Sequence, residues 1–364
     1  MFPASAEVCA PRDSGAAGAI DVRAVDDPAW LGFLRSHPDA TVFHHPAWSR
    51  LLAETYGHRA FVLVQPDGNG EIVAGLPVLE MRRFARGSRF RALPFTDHCP
   101  PLASSPSSLA LFSENLARWR AAQGVARIAV HGLMADAPGV HVVTRAVRHV
   151  LPLGRSSDRV FESFKGSSVR RAIRKAQRDG VKTRISRSPE DLACFYRLHL
   201  RTRRRLGVPV QPRRFIEGLW NNLMGAGLGF AVVASHRGEP IAAALFLAWN
   251  RNLIYKFGAS DPRYWALRPN NLVIWTAIEW ACWQRYRLLD FGRTDFDNQG
   301  LRDFKGRWGA LEVPLKYSYV GAAPSGSLPG APLRALATVI RSTPPIVCQL
   351  MGEVCYRHLI PNLS

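Results

Sequence analysis

The sequence has few cysteines, and none of them are closely paired. Its six cysteines are scattered along 364 residues without any CxxC pair. Zinc knuckles and disulfide frameworks place their cysteines at short and characteristic spacings. The sequence therefore predicts neither a structural metal site nor a disulfide-stabilised fold.

Long apolar runs are also missing. The longest uncharged run, residues 218–235, is interrupted by two asparagines and several glycines, whereas a membrane-spanning helix needs about 20 predominantly apolar residues. The first twenty residues have neither the basic start nor the apolar centre of a secretory signal. We therefore expect a cytoplasmic protein.

Several common catalytic motifs are absent as well. The chain contains no GxSxG elbow, no P-loop, no HExxH pair and no GxGxxG after a strand, which removes the usual signatures of serine hydrolases, NTPases, zinc peptidases and dinucleotide-binding enzymes. The pairs His44-His45 and Asp97-His98 are the only suggestive imidazole sites. We interpret them as packed or helix-capping histidines.

Acidic residues are scarce relative to basic ones. The chain has 48 Lys and Arg against 28 Asp and Glu, a formal net charge of +20, and residues 165–214 alone contribute a net +13. Arginine side chains match the geometry of phosphate oxygens, so this segment predicts a phosphate-binding surface, with a merely solvated basic face as the alternative. The sequence shows no RNA-recognition signature with interleaved aromatics and no helix-turn-helix, and sequence-specific DNA binding is therefore not expected.

A predicted helix near residues 167–179 concentrates this charge. Its apolar residues form a narrow stripe, and its basic residues occupy the remaining surface. The basic side chains that we single out as substrate-binding candidates are Arg170, Arg171, Arg174 and Lys175.

Two stretches of the chain repeat one pattern. A helical pattern followed by a hairpin occurs near residues 46–79 and again near residues 215–247, with Phe61 and Phe230 separated by 169 positions and Glu71 and Glu239 by 168. Repetition at one spacing predicts a duplicated unit. We therefore predict an α+β fold with two tandem domains, divided as a loose tail (1–20), a first domain (21–155), a second domain (156–320), and a linker with short apolar helices (321–364).

The most specific stretch lies between residues 255 and 309. It contains four short patterns in a fixed order: Tyr255-Lys-Phe-Gly-Ala-Ser260, Arg268-Pro-Asn-Asn271, Leu288-Leu-Asp-Phe-Gly-Arg293 and Gly300-Leu-Arg-Asp-Phe-Lys-Gly-Arg-Trp-Gly309. Together with the basic helix and with His45-Pro-Ala-Trp48, these patterns resemble the Fem family of peptidoglycan interpeptide-bridge aminoacyltransferases. They are also similar to acetyltransferase-like relatives linked to exopolysaccharide and cellulose synthesis. The resemblance covers about residues 40–320.

The resemblance implies two tandem GNAT-like domains and an acyltransferase activity. The acceptor implied is an amine, or a hydroxyl, of a cell-envelope precursor or an exopolysaccharide, hence a small molecule or glycan. No bound cofactor is expected. The chain lacks the pyrophosphate loop of acetyl-CoA-dependent GNAT enzymes and has no long heptad segment for the coiled-coil arm of some tRNA-using Fem enzymes. The co-substrate therefore stays open between acyl-CoA or another thioester and an aminoacyl-tRNA. A non-catalytic module that binds an anionic glycan or nucleotide sugar is the alternative of another class.

The resemblance also assigns roles to single residues. Lys305 corresponds to the Fem lysine that stabilises the developing oxyanion, with Phe304 as a wall of the site and Trp308 packed beneath it. The alternative for Lys305 is a loop lysine paired with Asp303 or Glu312. Asp290 is a second catalytic candidate, and the further substrate-binding candidates are Tyr255, Asn271 and Arg293.

The C-terminal segment 346–360 is apolar, nearly uncharged and too short to span a bilayer. We expect it to dock on the second domain as a covering helix. The alternative is peripheral contact with the anionic inner face of the cell membrane.

Overall fold

The computed structural model describes residues 19–81, 89–323 and 330–356. In the first unit the elements are β1 (Asp21–Ala24), α1 (Pro28–Ser36), α2 (Pro46–Tyr56), β2 (Arg59–Pro66), β3 (Ile72–Met81), β4 (Arg89–Arg91), β5 (Leu102–Ala103), α3 (Pro106–Ala122), β6 (Arg127–Val130) and β7 (Val140–Pro152). Nearly all of the predicted N-terminal tail lies outside the described residues.

The second unit repeats most of this order, with two additional helices at its start and one before its last strand. Its elements are α4 (Ser157–Glu162), α5 (Ser167–Arg178), β8 (Lys182–Ser186), α6 (Glu190–Leu206), α7 (Arg213–Gly218) with a π-helical continuation (Leu219–Met224), β9 (Gly229–His236), β10 (Glu239–Trp249), β11 (Asn252–Ser260), a 3-10 turn (Pro262–Leu267), α8 (Pro269–Trp283), β12 (Leu288–Thr294), α9 (Gln299–Gly306) and β13 (Leu311–Gly321). Two short helices follow, α10 (Gly330–Ser342) and α11 (Pro345–Val354). The predicted α+β class with two repeated units and a short C-terminal helical tail is confirmed.

All described strands join one sheet, and its order shows how the two units are connected. From the outer edges inward, the first unit runs β1-β2-β3-β4-β6 and the second runs β8-β9-β10-β11-β12. At the centre, β13 pairs with β6 and β7 pairs with β12, while β7 and β13 pair with each other. The two units therefore exchange their last strands, and strand pairing crosses the predicted domain boundary at residues 155/156.

Each unit contains one parallel strand pair among antiparallel neighbours. The pairs are β4 with β6 and β11 with β12. In the second unit this pairing covers only residues 252–254 and 288–290, so the two strands separate beyond it. The separation leaves the ends of β11 and β12 accessible to side chains from other elements.

The duplicated helix-and-hairpin pattern is present in both units. The hairpins are β2–β3 and β9–β10, and the helices before them, α2 and α7, pack against each other. The Trp48 and Phe215 rings meet edge to face at 6.1 Å between centroids, within one apolar core that both units share. The two copies of the repeat therefore form a common interface.

Of the histidines suggested by the sequence, His44 packs and His45 caps a helix, as interpreted. The His45 imidazole accepts a hydrogen bond from the Ala47 amide at the start of α2. His44 is fully buried and hydrogen-bonded to the Pro100 carbonyl at 3.0 Å. Burial lowers the pKa of His44 to about 4, so that imidazole is neutral at physiological pH.

The C-terminal helices dock on α6, and the docking expectation is confirmed for residues 336–356. Their apolar residues form a small core with Val210. The Arg204 guanidinium donates to the Thr343 carbonyl at 2.7 Å, and Arg203 donates to the Tyr356 hydroxyl at 3.1 Å. Ile346 and Leu350 remain more than half exposed. None of the described helices is both long enough and apolar enough to cross a membrane.

Candidate functional site

A cavity of about 890 Å³ lies where α5 meets the N-terminus of α8. The apolar stripe of α5 is buried, and its basic side chains therefore face outward along this cavity. Six basic and no acidic side chains line it within the described part of the chain. The basic residues are Arg171, Arg174, Lys175, Arg178, Arg268 and Arg307. We refer to this space as the basic cavity.

The N-terminus of α8 adds to the positive potential of the basic cavity. Asn270 and Asn271 line the cavity in the first turn of α8, and the preceding Arg268 makes no side-chain cap. The N-terminal end of a helix carries partial positive charge and favours anions. The arrangement is suited to bind phosphate groups, and it brings the predicted residue Asn271 together with most of the predicted basic face.

Arg170 differs from its predicted neighbours. Its guanidinium donates to the Glu162 carbonyl at 2.9 Å and to the Phe164 carbonyl at 3.1 Å. It therefore fixes the chain between α4 and α5 and does not line the basic cavity. The helical periodicity could not reveal this difference, because the two carbonyls belong to a preceding turn.

Lys305 extends from α9 into the interior, where only 4% of its surface is exposed. Its ammonium donates to the Gly292 carbonyl at 2.9 Å and to the Arg293 carbonyl at 3.1 Å. Burial lowers the pKa of Lys305 to about 8, and nearby Asp97 and Asp290 oppose that effect. An ammonium has three N–H donors, so one remains for a ligand.

The alternative ion pairs of Lys305 are not formed. Arg302 bonds both oxygens of Glu312 at 2.8 and 2.9 Å, and Gln299 bonds Asp303 at 2.7 Å. The two acids that the sequence offered as partners of Lys305 are thus engaged by other residues of the same loop and helix.

The aromatic residues beside Lys305 lie as expected. Phe304 lines the basic cavity. Trp308 is fully buried, and its ring lies 6.4 Å from that of Phe304. The α9 segment therefore presents Phe304 to the basic cavity and Lys305 to the end of β12.

Asp290 occupies a supporting position. Its carboxylate accepts from the Gly292 amide at 2.8 Å and from the Arg148 guanidinium at 3.2 Å. Burial raises the pKa of Asp290. It fixes the bulge of β12 whose carbonyls hold Lys305, and it does not line the basic cavity. Its catalytic role stays a prediction.

Tyr255 is likewise placed behind the site. Its ring packs near Phe246 and Phe291, and burial raises its pKa to about 12. It lines none of the described cavities, so its predicted contact with substrate also stays a prediction.

A second cavity, of about 330 Å³, lies between the two units, and we call it the interunit cavity. The first unit contributes part of its lining. The second unit, which includes β13, and the C-terminal segment contribute the rest. The lining consists of Tyr56, Phe95, Thr96, Asp97, His131, Arg203, Gln211, Phe215, Lys256, Phe257, Arg293, Tyr317 and Tyr356. Of the predicted site residues, only Arg293 lies here.

Three charged residues that line the interunit cavity, Asp97, Arg203 and Lys256, were not among the site candidates of the sequence analysis. The Lys256 ammonium donates to the Phe95 carbonyl at 2.8 Å and lies over the rings of Phe43, Trp48 and Phe257 at 5.2, 5.2 and 5.4 Å. Burial lowers the pKa of Lys256. Its position directly after Tyr255 in a recognised pattern was the one available signal.

Asp97 is another of these residues. Its side-chain carboxylate makes no hydrogen bond or ion pair with any described residue, although the Tyr317 hydroxyl donates to its backbone carbonyl at 3.2 Å. It lies against Gly292, whose carbonyl accepts from Lys305. Asp97 therefore becomes a candidate site residue, which the sequence analysis did not single out.

The two cavities lie on either side of the α9–β12 junction. Phe304 and Arg307 border the basic cavity, while Asp97 and Arg293 border the interunit cavity. Lys305 is bonded to the Gly292–Arg293 backbone. It lines neither cavity itself, but its chain neighbour Phe304 borders the first and its bonding partner Arg293 borders the second. Across the described residues, no group of three His, Cys, Asp or Glu side chains could hold a metal ion.

Comparison with known proteins shows which fold the chain shares. Residues 163–305 match the family model described as an acetyltransferase (GNAT) domain, and no curated protein sequence matches the chain. The structure is similar to that of FemX, with a TM-score of 0.67 and 15% identity over 87% of this chain and 99% of that chain. It is also similar to L-PGS from Bacillus licheniformis, with a TM-score of 0.52 and 13% identity over 91% of this chain and 98% of that chain.

These comparisons confirm the resemblance to the Fem and GNAT proteins. The family match covers α5, α8, β12 and most of α9, which are the elements that form the basic cavity and hold Lys305. The similarity to FemX extends over both units and shows a shared fold.

Proposed function

We propose that the protein transfers an acyl group from a phosphate-bearing donor, in the first place an acyl-CoA thioester, to an amine of a cell-envelope precursor or an exopolysaccharide. The observation that carries this proposal is the buried ammonium of Lys305, which is bonded to the Arg293 carbonyl and keeps one N–H donor unused. Its chain neighbour Phe304 lines the basic cavity, and Arg293 lines the interunit cavity. The GNAT-domain match over residues 163–305 supports acyl transfer as the reaction class.

The donor is assigned to the basic cavity on electrostatic grounds. Its six basic side chains and the N-terminus of α8 would bind the donor phosphates. The missing pyrophosphate loop would then be replaced by side chains from α5. Phe304 would exclude water from the reacting thioester.

The chemical step needs no covalent enzyme intermediate. The acceptor nitrogen attacks the thioester carbonyl carbon, and the carbonyl oxygen becomes an oxyanion beside the third N–H donor of Lys305. Collapse of the intermediate forms the amide bond and breaks the carbon–sulfur bond. The leaving thiolate takes up the proton that the amine nitrogen releases.

Aminoacyl-tRNA is the second donor candidate, because a net +13 over residues 165–214 extends the positive charge beyond the basic cavity. An ester oxygen would then leave in place of the thiolate. A non-catalytic module that binds an anionic glycan would use the same basic surface without transfer.

Incubation with radiolabelled acetyl-CoA, or with charged tRNA, and an envelope extract separates these proposals. We expect labelled product from the CoA arm that is insensitive to RNase. RNase-sensitive product would assign the donor to tRNA. Lack of product in both arms, for wild type and for Lys305→Met alike, would contradict the transferase proposal and favour the binding module.

A further inference from the structure

The interunit cavity contains a buried hydroxyl without a partner. Tyr56 is only 4% exposed, and its hydroxyl makes no hydrogen bond to any described residue. Buried polar groups in folded proteins are nearly always hydrogen-bonded, because an unpaired one costs free energy. Tyr56 lines the cavity, so a bound ligand is the natural partner of its hydroxyl.

The charges around this hydroxyl favour an anion. Arg203, Lys256 and Arg293 line the interunit cavity against one carboxylate, that of Asp97. Lys256 uses one of its three N–H donors on the Phe95 carbonyl, and further donors remain for a ligand. The Phe95 ring lies 4.8 Å from that of Tyr56, so Tyr56 and Lys256 both contact the same residue.

The Asp97 carboxylate, in contrast, favours a positively charged group of the ligand. Asp97 lies against Gly292, next to the carbonyl that binds Lys305, and no described side chain neutralises it within ion-pair distance. A ligand ammonium there would gain a charge-assisted hydrogen bond. It would also lie beside the backbone that positions Lys305.

We propose that the interunit cavity binds a small zwitterionic acceptor, an amino-acid-like amine with an anionic group, and that Asp97 holds its nitrogen while Tyr56 and Lys256 hold its anion. This inference rests on the proposed acyl transfer for calling the ligand an acceptor. The cavity volume of about 330 Å³ lies at the lower end of the range for ligand sites, about 300–1,000 Å³. That volume fits an acceptor of amino-acid size, or the zwitterionic end of a longer one.

The cavity is completed by the C-terminal segment. Tyr356 follows α11 and lines the cavity, and its hydroxyl accepts from Arg203 at 3.1 Å. Docking of the tail on α6 therefore has a consequence for ligand binding, because it supplies one wall of the acceptor site.

Direct binding tests this inference without relying on transfer. The probes are L-alanine, O-phosphoethanolamine, ethanolamine and propionate, titrated into the full chain by calorimetry. We expect binding of the first two, which carry both an amine and an anion, and markedly weaker binding of the last two. A preference between alanine and O-phosphoethanolamine assigns the anion as carboxylate or phosphate. Equal binding of all four, or no binding of any, would overturn the proposal.

Two tyrosine variants give the sharpest comparison. Tyr56→Phe removes a hydroxyl that has no partner among the described residues, so it should leave the melting temperature unchanged and weaken zwitterion binding by about tenfold. Tyr196→Phe is the matched control, because its hydroxyl is also buried and unpartnered among the described residues but does not line the cavity. Equal affinities of Tyr56→Phe, Tyr196→Phe and wild type would contradict the proposed site.

The failure of this inference can be told apart from that of the proposed function. If zwitterions bind in a Tyr56-dependent way but no donor gives product, the cavity is a binding site and the transferase proposal fails. If transfer occurs and neither Tyr56→Phe nor Lys256→Met alters the acceptor KM, the acyl-transfer proposal stands and the acceptor assignment fails.

Discussion

Asp97 of the first unit lies so close to Gly292 of the second that a Cβ at residue 292 would come within 2.7 Å of the Asp97 Oδ2 atom. Gly292 also has a φ of +71°, a backbone region that is unfavourable for other residues. Its carbonyl accepts from Lys305. Through this single glycine, the Asp97 carboxylate of the first unit is linked to Lys305, the candidate oxyanion donor of the second.

Gly292→Ala should therefore damage both stability and transfer. The left-handed backbone alone costs an alanine about 1–2 kcal/mol, and the new methyl group must displace Asp97. We expect a lower melting temperature and a larger loss in turnover than in donor binding. Gly300→Ala, at a glycine with open space around it, is the control, and equal behaviour of the two variants would argue against the contact.

Lys305→Met should lose at least about a hundredfold in turnover, as expected for loss of an oxyanion donor. Its melting temperature should stay near that of wild type. The variant no longer buries an ammonium, but it leaves the Gly292 and Arg293 carbonyls unpaired, and these effects oppose each other. Lys182→Met, on the exposed edge strand β8, is the control. Retention of more than about a tenth of wild-type turnover would exclude Lys305 as the oxyanion donor.

The pH dependence of transfer should report the charge of Lys305. Its pKa is lowered to about 8, so the ammonium is present below that pH and is lost above it. We expect turnover under saturating substrate to fall as pH rises through about 8. Deprotonation of an acceptor amine acts in the opposite direction and cannot produce this fall. A rate that stays constant or rises well above this pH would contradict the assignment.

Neutralising the basic cavity should weaken donor binding. Replacing Arg171, Arg174 and Arg178 with glutamine should raise the donor KM at least about tenfold and reduce its salt dependence, because phosphate contacts are charge-assisted and screened by salt. Arg170→Gln is the matched control, since Arg170 bonds backbone carbonyls and should affect stability and not KM. Unchanged kinetics of the triple variant at low salt would mean that the basic face of α5 is a solvated surface that does not bind the donor.

The C-terminal helices should be structural. A Cβ at Gly352 would come within 2.1 Å of the Val210 carbonyl oxygen, so Gly352→Ala must displace α11 and should cost about 1–3 kcal/mol of stability. Ser342→Ala, on the exposed end of α10, is the control. Deletion of residues 331–364 should cause aggregation. A stable truncated protein that moves from the membrane to the soluble cell fraction would instead support peripheral membrane attachment.

Local patterns were sufficient for the elements of this fold. The repeated hairpins, the helices beginning at Pro46 and near Phe215, and the amphipathic α5 all follow from the identity of residues within a few positions of each other. The Phe304–Trp308 pattern also led directly to Lys305. The alternation of buried and exposed positions carries this information along the chain itself.

The sequence by itself thus determined the duplicated α+β units and the basic helix, and its family resemblance pointed to Lys305 as the catalytic candidate. The tertiary structure decided the exchange of β7 and β13, the removal of Arg170 from the basic face, and the assembly of Tyr56, Asp97 and Lys256 around one cavity. The physical reason is that periodicity depends on neighbours within one or two turns. Strand partners, buried carbonyl contacts and cavity walls are chosen among groups far apart in the chain, and only the folded structure brings these together.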